Sequence, residues 1–378
     1  MRIAQIAPLV ESVPPKGYGG TERIVSFLTE ELVRQGHDVT LFASGDSITR
    51  AELVPCCRRG LRLDPEVQDP LPHYMIMLDQ VRRRAAEFDV LHFHIDYLHF
   101  PLFRDLAGRT VTTQHGRQDI PDLLDAYTVF PEYPLVSISN DQRRPWPHGN
   151  WLRTIHHGLP RNLLPFSPRH QGYLAFLGRI CPEKRPDRAI EIARCTGVPL
   201  KIAAKVDRVD RDYFEEVVRP MLNDPLIEFV GEIGDGDKAA FLGDALALLF
   251  PIDWPEPFGL VMIEAMACGT PVIAYRCGSV PEVIEHGRTG FVVDNIEAAM
   301  RAVEQLELLN RAVVRQRFEE RFSVERMAAD YVEAYRTLVR VVELPVIGPV
   351  PADIERTSVQ VPSALAGNGP AATTIGSQ

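Results

Sequence analysis

The sequence predicts an α/β fold built from two parallel-sheet units in tandem. Short apolar runs alternate with helical stretches along most of the chain. Near 160–171 (PRNLLPFSPRHQ) the pattern lapses into a Pro-rich, irregular stretch and then starts afresh. The Gly-, Pro- and charge-rich segments fall in loops after strands, where open sheets of this class bind ligands.

The run 2–7 (RIAQIA) reads as a first strand, not a secretory leader, because no long apolar core with a cleavage site follows its Arg. After the loop ESVPPKGYGG, residues Ile24, Val25, Phe27, Leu28, Leu32 and Val33 recur at helical spacing over 21–34. Gly36 stops that helix, and 39–43 (VTLFA) is the next strand. This strand, loop, helix, strand order starts a parallel sheet. The same reading gives a helix at 74–87 and strands at 90–94, 110–114 and 135–139. Beyond the irregular stretch it gives strands at 173–177, 200–204, 227–230, 247–250 and 271–274. Helices are expected at 186–195, 211–222, 237–242, 258–267, 296–309 and 323–341. The domains are therefore expected at 1–162 and 172–322, with a linker at 163–171. The segment 344–378 has Pro, Ser, Gly and Thr without periodicity, the composition of a disordered tail.

With 378 residues, 45% hydrophobic and 24% charged, the chain can bury a core in each half. The formal net charge of -10 argues against broad nucleic-acid binding, which needs a basic face. The runs Arg58-Arg59, Arg82-Arg83-Arg84 and Arg143-Arg144 read as solvated surface, with a patch for anionic lipid or a charged acceptor as the alternative. The six cysteines (Cys56, Cys57, Cys181, Cys195, Cys268 and Cys277) include no Cys-x-x-Cys and read as reduced thiols of a cytoplasmic protein. No apolar stretch reaches the roughly 18–20 residues that span a bilayer, which leaves peripheral membrane contact open.

The densest signal is 255–272, PEPFGLVMIEAMACGTPV. A helix is expected to open at Pro257 or Phe258, where a Pro sacrifices no hydrogen bond. The amides of Phe258, Gly259 and Leu260 then face the cleft, and a helix N-terminus suits a diphosphate. Glu256 precedes that helix and Glu264 lies eight residues on. One carboxylate can hold sugar hydroxyls while the other holds ribose hydroxyls. Two unrelated surface glutamates are the bland alternative, weakened by the Pro-Phe-Gly before and the Gly-Thr-Pro-Val after.

This segment resembles the Glu-x7-Glu signature of glycosyltransferase family 4, whose GT-B fold sets two Rossmann-like domains across a cleft. The continuation Cys277-Gly278-Ser279-Val280-Pro281-Glu282-Val283-Ile284 and then Gly287-Arg288-Thr289-Gly290-Phe291 also matches, and the resemblance covers roughly residues 1–340. It implies that Glu256 contacts the transferred sugar and Glu264 the ribose. It further implies a retaining, metal-independent transferase. Such an enzyme moves a hexose from a nucleotide diphosphate sugar, UDP favoured and GDP possible, to a hydroxyl acceptor, with no separate cofactor. The last helix, 323–343, would cross back to the first domain.

The loop Gly178-Arg179-Ile180-Cys181-Pro182-Glu183-Lys184-Arg185-Pro186 places two cations, Arg179 and Lys184, after a strand, where they can offset charge growing on a leaving diphosphate. A solvated basic loop is the alternative, and the resemblance assigns an Arg and a Lys here to the diphosphate. The pair Asp210 and Asp212 could suggest a metal. Asp235 and Asp237 read better as turn and N-cap residues. In Lys16-Gly17-Tyr18-Gly19-Gly20-Thr21, adjacent glycines let backbone approach a ligand. Glu22 stands where a dinucleotide fingerprint needs Gly, which weakens a dehydrogenase reading. Family resemblance puts Gly19 and Gly20 against the donor phosphates and His115 against the donor sugar. His92 and His94 alternate on one strand face, which permits a metal reading. His94 and Asp96 are preferred as rim residues on the acceptor side. His156 and His157 stand before Gly158 where the family often has Pro-Asn-Gly. A sugar-nucleotide epimerase of the same fold and a non-catalytic nucleotide-sugar-binding protein are the remaining rivals. The first lacks a recognisable full set of acid and base groups, and the second would be expected to lose Glu256, Arg179 or Lys184.

Overall fold

A computed structural model describes residues 1–17 and 19–343, so the tail expected at 344–378 lies outside the described residues. In chain order, the first half contains β1 (Arg2–Ile6), α1 (Gly20–Arg34), β2 (Asp38–Ser44), β3 (Glu52–Cys57), α2 (Leu71–Arg84), β4 (Val90–Phe93), α3 (Phe100–Phe103), β5 (Thr110–Thr113), α4 (Pro121–Val129), β6 (Leu135–Ser137) and β7 (Trp151–Thr154). The second half begins with β8 (Tyr173–Arg179), α5 (Pro186–Thr196), β9 (Leu200–Lys205), α6 (Arg211–Tyr213), β10 (Ile227–Gly231), α7 (Asp235–Gly243) and β11 (Ala245–Phe250). It continues through α8 (Leu260–Ala267), β12 (Val272–Tyr275), α9 (Val280–Val283), β13 (Gly290–Val293), α10 (Ile296–Glu304), α11 (Arg311–Arg321) and α12 (Val324–Glu343).

The first sheet is parallel, in the order β3-β2-β1-β4-β5-β6-β7, and the second is parallel, in the order β10-β9-β8-β11-β12-β13. Each sheet reverses its winding once, between β1 and β4 and between β8 and β11. Helices on opposite sides of such a switch point diverge and leave a crevice at the carboxyl edge. The loops after β1 and β4 carry Gly19, Gly20, His94 and Asp96. Those after β8 and β11 carry Lys184 and Glu256, and Arg179 is the last residue of β8. His115 follows β5, the neighbour of β4.

Several expected boundaries shift for physical reasons. The helix expected at 258–267 begins at Leu260, because Gly259 takes a left-handed conformation (φ 78°) that ends the loop. Phe258 and Gly259 therefore lie outside the helix. The helix expected at 237–242 begins at Asp235. Its cap is Gly234, so Asp235 and Asp237 sit in its first turn and favour the helix dipole instead of capping it. The helix expected at 211–222 has only one short α-turn, α6, before its winding loosens over Phe214–Val218 and tightens at Arg219–Asn223. Pro220, which has no N–H to donate, stands at that second change. The helix expected at 296–309 ends at Glu304.

α12 runs back beneath the first sheet. Leu159 N donates to Phe322 O (2.9 Å) and Val324 N donates to Leu159 O (2.9 Å), pinning the start of α12 to the end of the first domain. A Cβ on Gly158 would come within 2.3 Å of Ser323 O, so only glycine allows this approach. Further along α12, the Tyr331 hydroxyl meets Thr113 Oγ1 (2.9 Å) and the Tyr335 hydroxyl meets His92 Nδ1 (2.7 Å). All six cysteines are free thiols. Among the described residues, no helix is long and apolar enough to cross a membrane.

His92, His94, His99 and His157 are buried, and burial holds each neutral, well below the ordinary 6.5. The unfolded chain would bind protons at these rings below about pH 6.5 while the folded chain would not. Their contribution to stability is thus present above that value and lost as the pH falls. Melting curves should show the melting temperature dropping between about pH 7 and pH 5. A flat profile there would contradict neutral burial of these rings.

Candidate active site

The loop between β11 and α8 is shaped by close backbone contacts. A Cβ on Gly278 (φ 56°) would lie 2.4 Å from both Glu256 N and Glu256 O. The next residue completes the lock: Ser279 N donates to Glu256 O (3.0 Å) and the Ser279 hydroxyl donates to Phe258 O (2.8 Å). Gly259 leaves α8 without a side-chain cap, so its first amides are open to an anion. Within this loop, Trp254 Nε1 donates to Glu256 Oε2 (3.0 Å), and the Lys184 ammonium contacts the same oxygen. Lys184 also lies 5.0 Å from the Trp254 ring centroid, a cation–π contact. The two loops are stapled, since Asp253 N donates to Glu183 O (2.9 Å) and Arg185 bonds Asp253 (3.0 Å).

Arg179, at the end of β8, faces Asp210 (3.4 Å), Asp207 (3.8 Å) and Glu183 (3.9 Å). Asp210, which the sequence offered with Asp212 as a metal pair, thus belongs to an ion-pair cluster. Glu264 is buried on α8 and accepts from Lys238 (2.8 Å). Lys238 also reaches Asp235 (3.4 Å), which bonds Arg23 of α1 (2.6 Å). Four alternating charges therefore run from the first domain to Glu264.

From the first domain, a Cβ on Gly20 would lie 3.7 Å from the Leu260 side chain, so α1 and α8 start close together. A Cβ on Gly19 would come within 2.7 Å of Pro15, which explains a glycine there. His115 lies half-buried against His157 (ring centroids 5.4 Å apart), and His157 lies against Phe258 (4.9 Å). Desolvation pushes the His115 imidazole down to about 3, so it is neutral at physiological pH.

His94 is not a rim residue. It is buried beneath His115, with Nδ1 2.9 Å from His115 Nε2 and Nε2 2.8 Å from Gln5 Oε1. Although it lies just past the end of β4, its side chain stays inside the protein and does not reach the rim. His92 also has both nitrogens engaged, by Tyr335 and by Thr113 (2.8 Å), which removes the metal reading of this pair. Asp96 is open to solvent with a left-handed backbone (φ 52°).

The structure thus joins Lys184 with Glu256, Gly20 with Leu260 and, through His157, His115 with Phe258. Sequence reading missed Trp254, Lys238, Arg23 and Gln5, and it named His157 only as a departure from Pro-Asn-Gly, without a role. Gln5 alone carried a signal, as the amide inside the buried run 3–7 that would need a partner.

Comparison with known proteins bears on the family and the fold. Residues 18–171 match the family model Glycosyltransferase Family 4, and residues 166–322 match Glycosyl transferases group 1. The phosphatidyl-myo-inositol mannosyltransferase of Mycobacterium leprae is 25% identical over 365 residues, which is 84% of this chain and 90% of that protein. The D-inositol 3-phosphate glycosyltransferase of Mycolicibacterium smegmatis is 32% identical over 222 residues, 52% of this chain and 48% of that protein. Sucrose-phosphate synthase from Thermosynechococcus elongatus superposes with a TM-score of 0.74 at 20% identity, covering 90% of this chain and 100% of that one. HepE of Anabaena in complex with UDP and glucose gives 0.67 at 17% identity, covering 89% and 100%. These likenesses show a common GT-B fold. With matched models running from residue 18 to residue 322, the chain belongs to glycosyltransferase family 4 and is a glycosyltransferase that uses a sugar-nucleotide donor.

Proposed function

We propose that this enzyme transfers a hexose from a UDP-sugar to a hydroxyl acceptor, with retention at the anomeric carbon and without a metal ion. The observation that carries the reading is the contact of Lys184 with Glu256. One cation suited to a phosphate and one carboxylate suited to a sugar hydroxyl meet at the switch point of a parallel sheet. The domain at 172–322 would hold the nucleotide sugar, the domain at 1–162 the acceptor, and the linker at 163–171 would flex between them.

In this mechanism Lys184, Arg179 and the first amides of α8, Leu260 and Val261, offset charge as the sugar–phosphate bond breaks. Glu256 accepts from the sugar hydroxyls and Glu264 from the ribose hydroxyls. Gly19 and Gly20 approach the phosphates, and His115 faces the sugar. The acceptor oxygen attacks from the side the diphosphate leaves, and a phosphate oxygen takes its proton. His115, neutral and with a very low pKa, is a poor base, which fits a proton moving to phosphate. UDP is favoured because HepE binds UDP and glucose on the same fold.

A thermal-shift and turnover screen of nucleotide sugars tests this. One UDP-sugar should raise the melting temperature, as ligand linkage requires, and release UDP with or without EDTA. Loss of both signals in EDTA would overturn metal independence, and a response to GDP-sugars alone would overturn the choice of base. Replacing Lys184 by Ala should lower kcat by roughly 10²–10³, the range for one electrostatic stabiliser, with little change in melting temperature. Steady-state kinetics showing an unchanged kcat would remove Lys184 from the leaving-group role. In Glu264→Ala the donor KM should rise about tenfold, as expected for a lost hydrogen bond to a charged group. An unaltered donor KM excludes the ribose assignment.

A further inference from the structure

We propose that Gln5 is a positioning residue for sugar transfer: acting through His94, it fixes the proton of His115 on Nε2 and leaves Nδ1 bare to accept a hydrogen bond from a hydroxyl of the donor sugar. The proposal rests on the reading above, in which His115 faces that sugar.

Gln5 sits in β1, between β2 and β4, and is fully buried. A buried amide is stable only with its polar ends paired, and here each end is. Its Nε2 donates to the Tyr335 hydroxyl (3.2 Å), and its Oε1 lies 2.8 Å from His94 Nε2. An amide oxygen can only accept, so His94 carries its proton on Nε2. Burial keeps His94 neutral, which leaves its Nδ1 as an acceptor. His115 Nε2 is 2.9 Å from that nitrogen and must therefore be the donor. The remaining nitrogen of His115, Nδ1, is buried and has no partner among the described residues. A neutral imidazole with its proton on Nε2 presents a lone pair there.

The other arm is consistent. Having accepted from Gln5, the Tyr335 hydroxyl donates to His92 Nδ1 (2.7 Å). His92 Nε2 then donates to Thr113 Oγ1 (2.8 Å), whose own proton goes to the Tyr331 hydroxyl (2.9 Å). Turning the Gln5 amide over would reverse every proton in both arms. One side chain in the first strand thus orders the protons of His115 and of the groups that tie α12 to the sheet. A bare Nδ1 selects a sugar hydroxyl that donates. Fluorine, which accepts only weakly and cannot donate, should not substitute for it.

Long-range proton–nitrogen NMR of the full chain, labelled with ¹⁵N-histidine and free of ligand, tests this. Comparison with His115→Asn and His94→Asn assigns the rings. Both His94 and His115 should show a protonated Nε2 and a bare Nδ1 at neutral pH. A proton on Nδ1 of His115 overturns the proposal even if Gln5 variants do not fold. In Gln5→Met, His115 should become a mixture of tautomers and kcat/KM should fall roughly tenfold, the scale of one hydrogen bond lost in the transition state. Gln5→Glu, whose carboxylate still accepts from His94, should recover the Nε2 tautomer and much of that loss. A lower melting temperature in Gln5→Met with an unchanged His115 tautomer would mark Gln5 as merely structural and sink the idea. The spectrum is independent of turnover. The expected tautomer in a wild-type enzyme that turns over no sugar nucleotide would overturn the transfer role and the reading beneath it together.

Discussion

The site depends on a constraint of parallel sheets. Parallel strands need crossover connections, and where the crossovers change direction the carboxyl edge is left uncovered. Both sheets reverse next to their first strand, β1 in one and β8 in the other. The loops freed by these reversals carry Gly19, Gly20, Lys184 and Glu256. The chain therefore needs no long insertion to build a cleft.

Within that frame, groups suited to the donor hold one another. Lys184 is held by Glu256, Glu264 by Lys238, and Arg179 by three carboxylates. Each charge enters a partly buried region with an opposite charge beside it, which offsets the cost of desolvation. A diphosphate and two sets of hydroxyls would replace these partners in kind: anion for carboxylate at the cations, hydroxyl for ammonium at the carboxylates.

What was legible in the sequence follows from where burial is two-sided. β11 is a continuous apolar run, β8 is one up to its last two residues, and β1 is broken after Arg2 only by Gln5, so these strands carry little ambiguity. The strands missed by reading are β3 and β7, on the sheet edges with half-exposed residues, and the four-residue β13. α11 was missed because only Val314 and Phe318 of it enter the core, and the rest of its hold is polar: Arg311 donates to Ser167 O, Ala245 O and Gly243 O, and Arg315 donates to Leu164 O. An apolar stripe has a period, whereas an arginine reaching a carbonyl leaves none. The site was legible wherever chemistry and loop shape lie in one segment, as at 255–264. Arg23, Lys238 and His157 gain their meaning only from residues far along the chain. His94 was misplaced on the rim because strand alternation gives a face and not a depth.

Gly278 is 22 positions beyond Glu256, yet it decides where that carboxylate stands, since any side chain there would strike the backbone at 256. The spacing of the two glutamates is thus not by itself a mark of this geometry. A distant chain that keeps both glutamates but carries a bulkier residue at the position of Gly278 must route its loop differently. The presence of glycine there can sort sequences that share the catalytic surface from those that share only the signature.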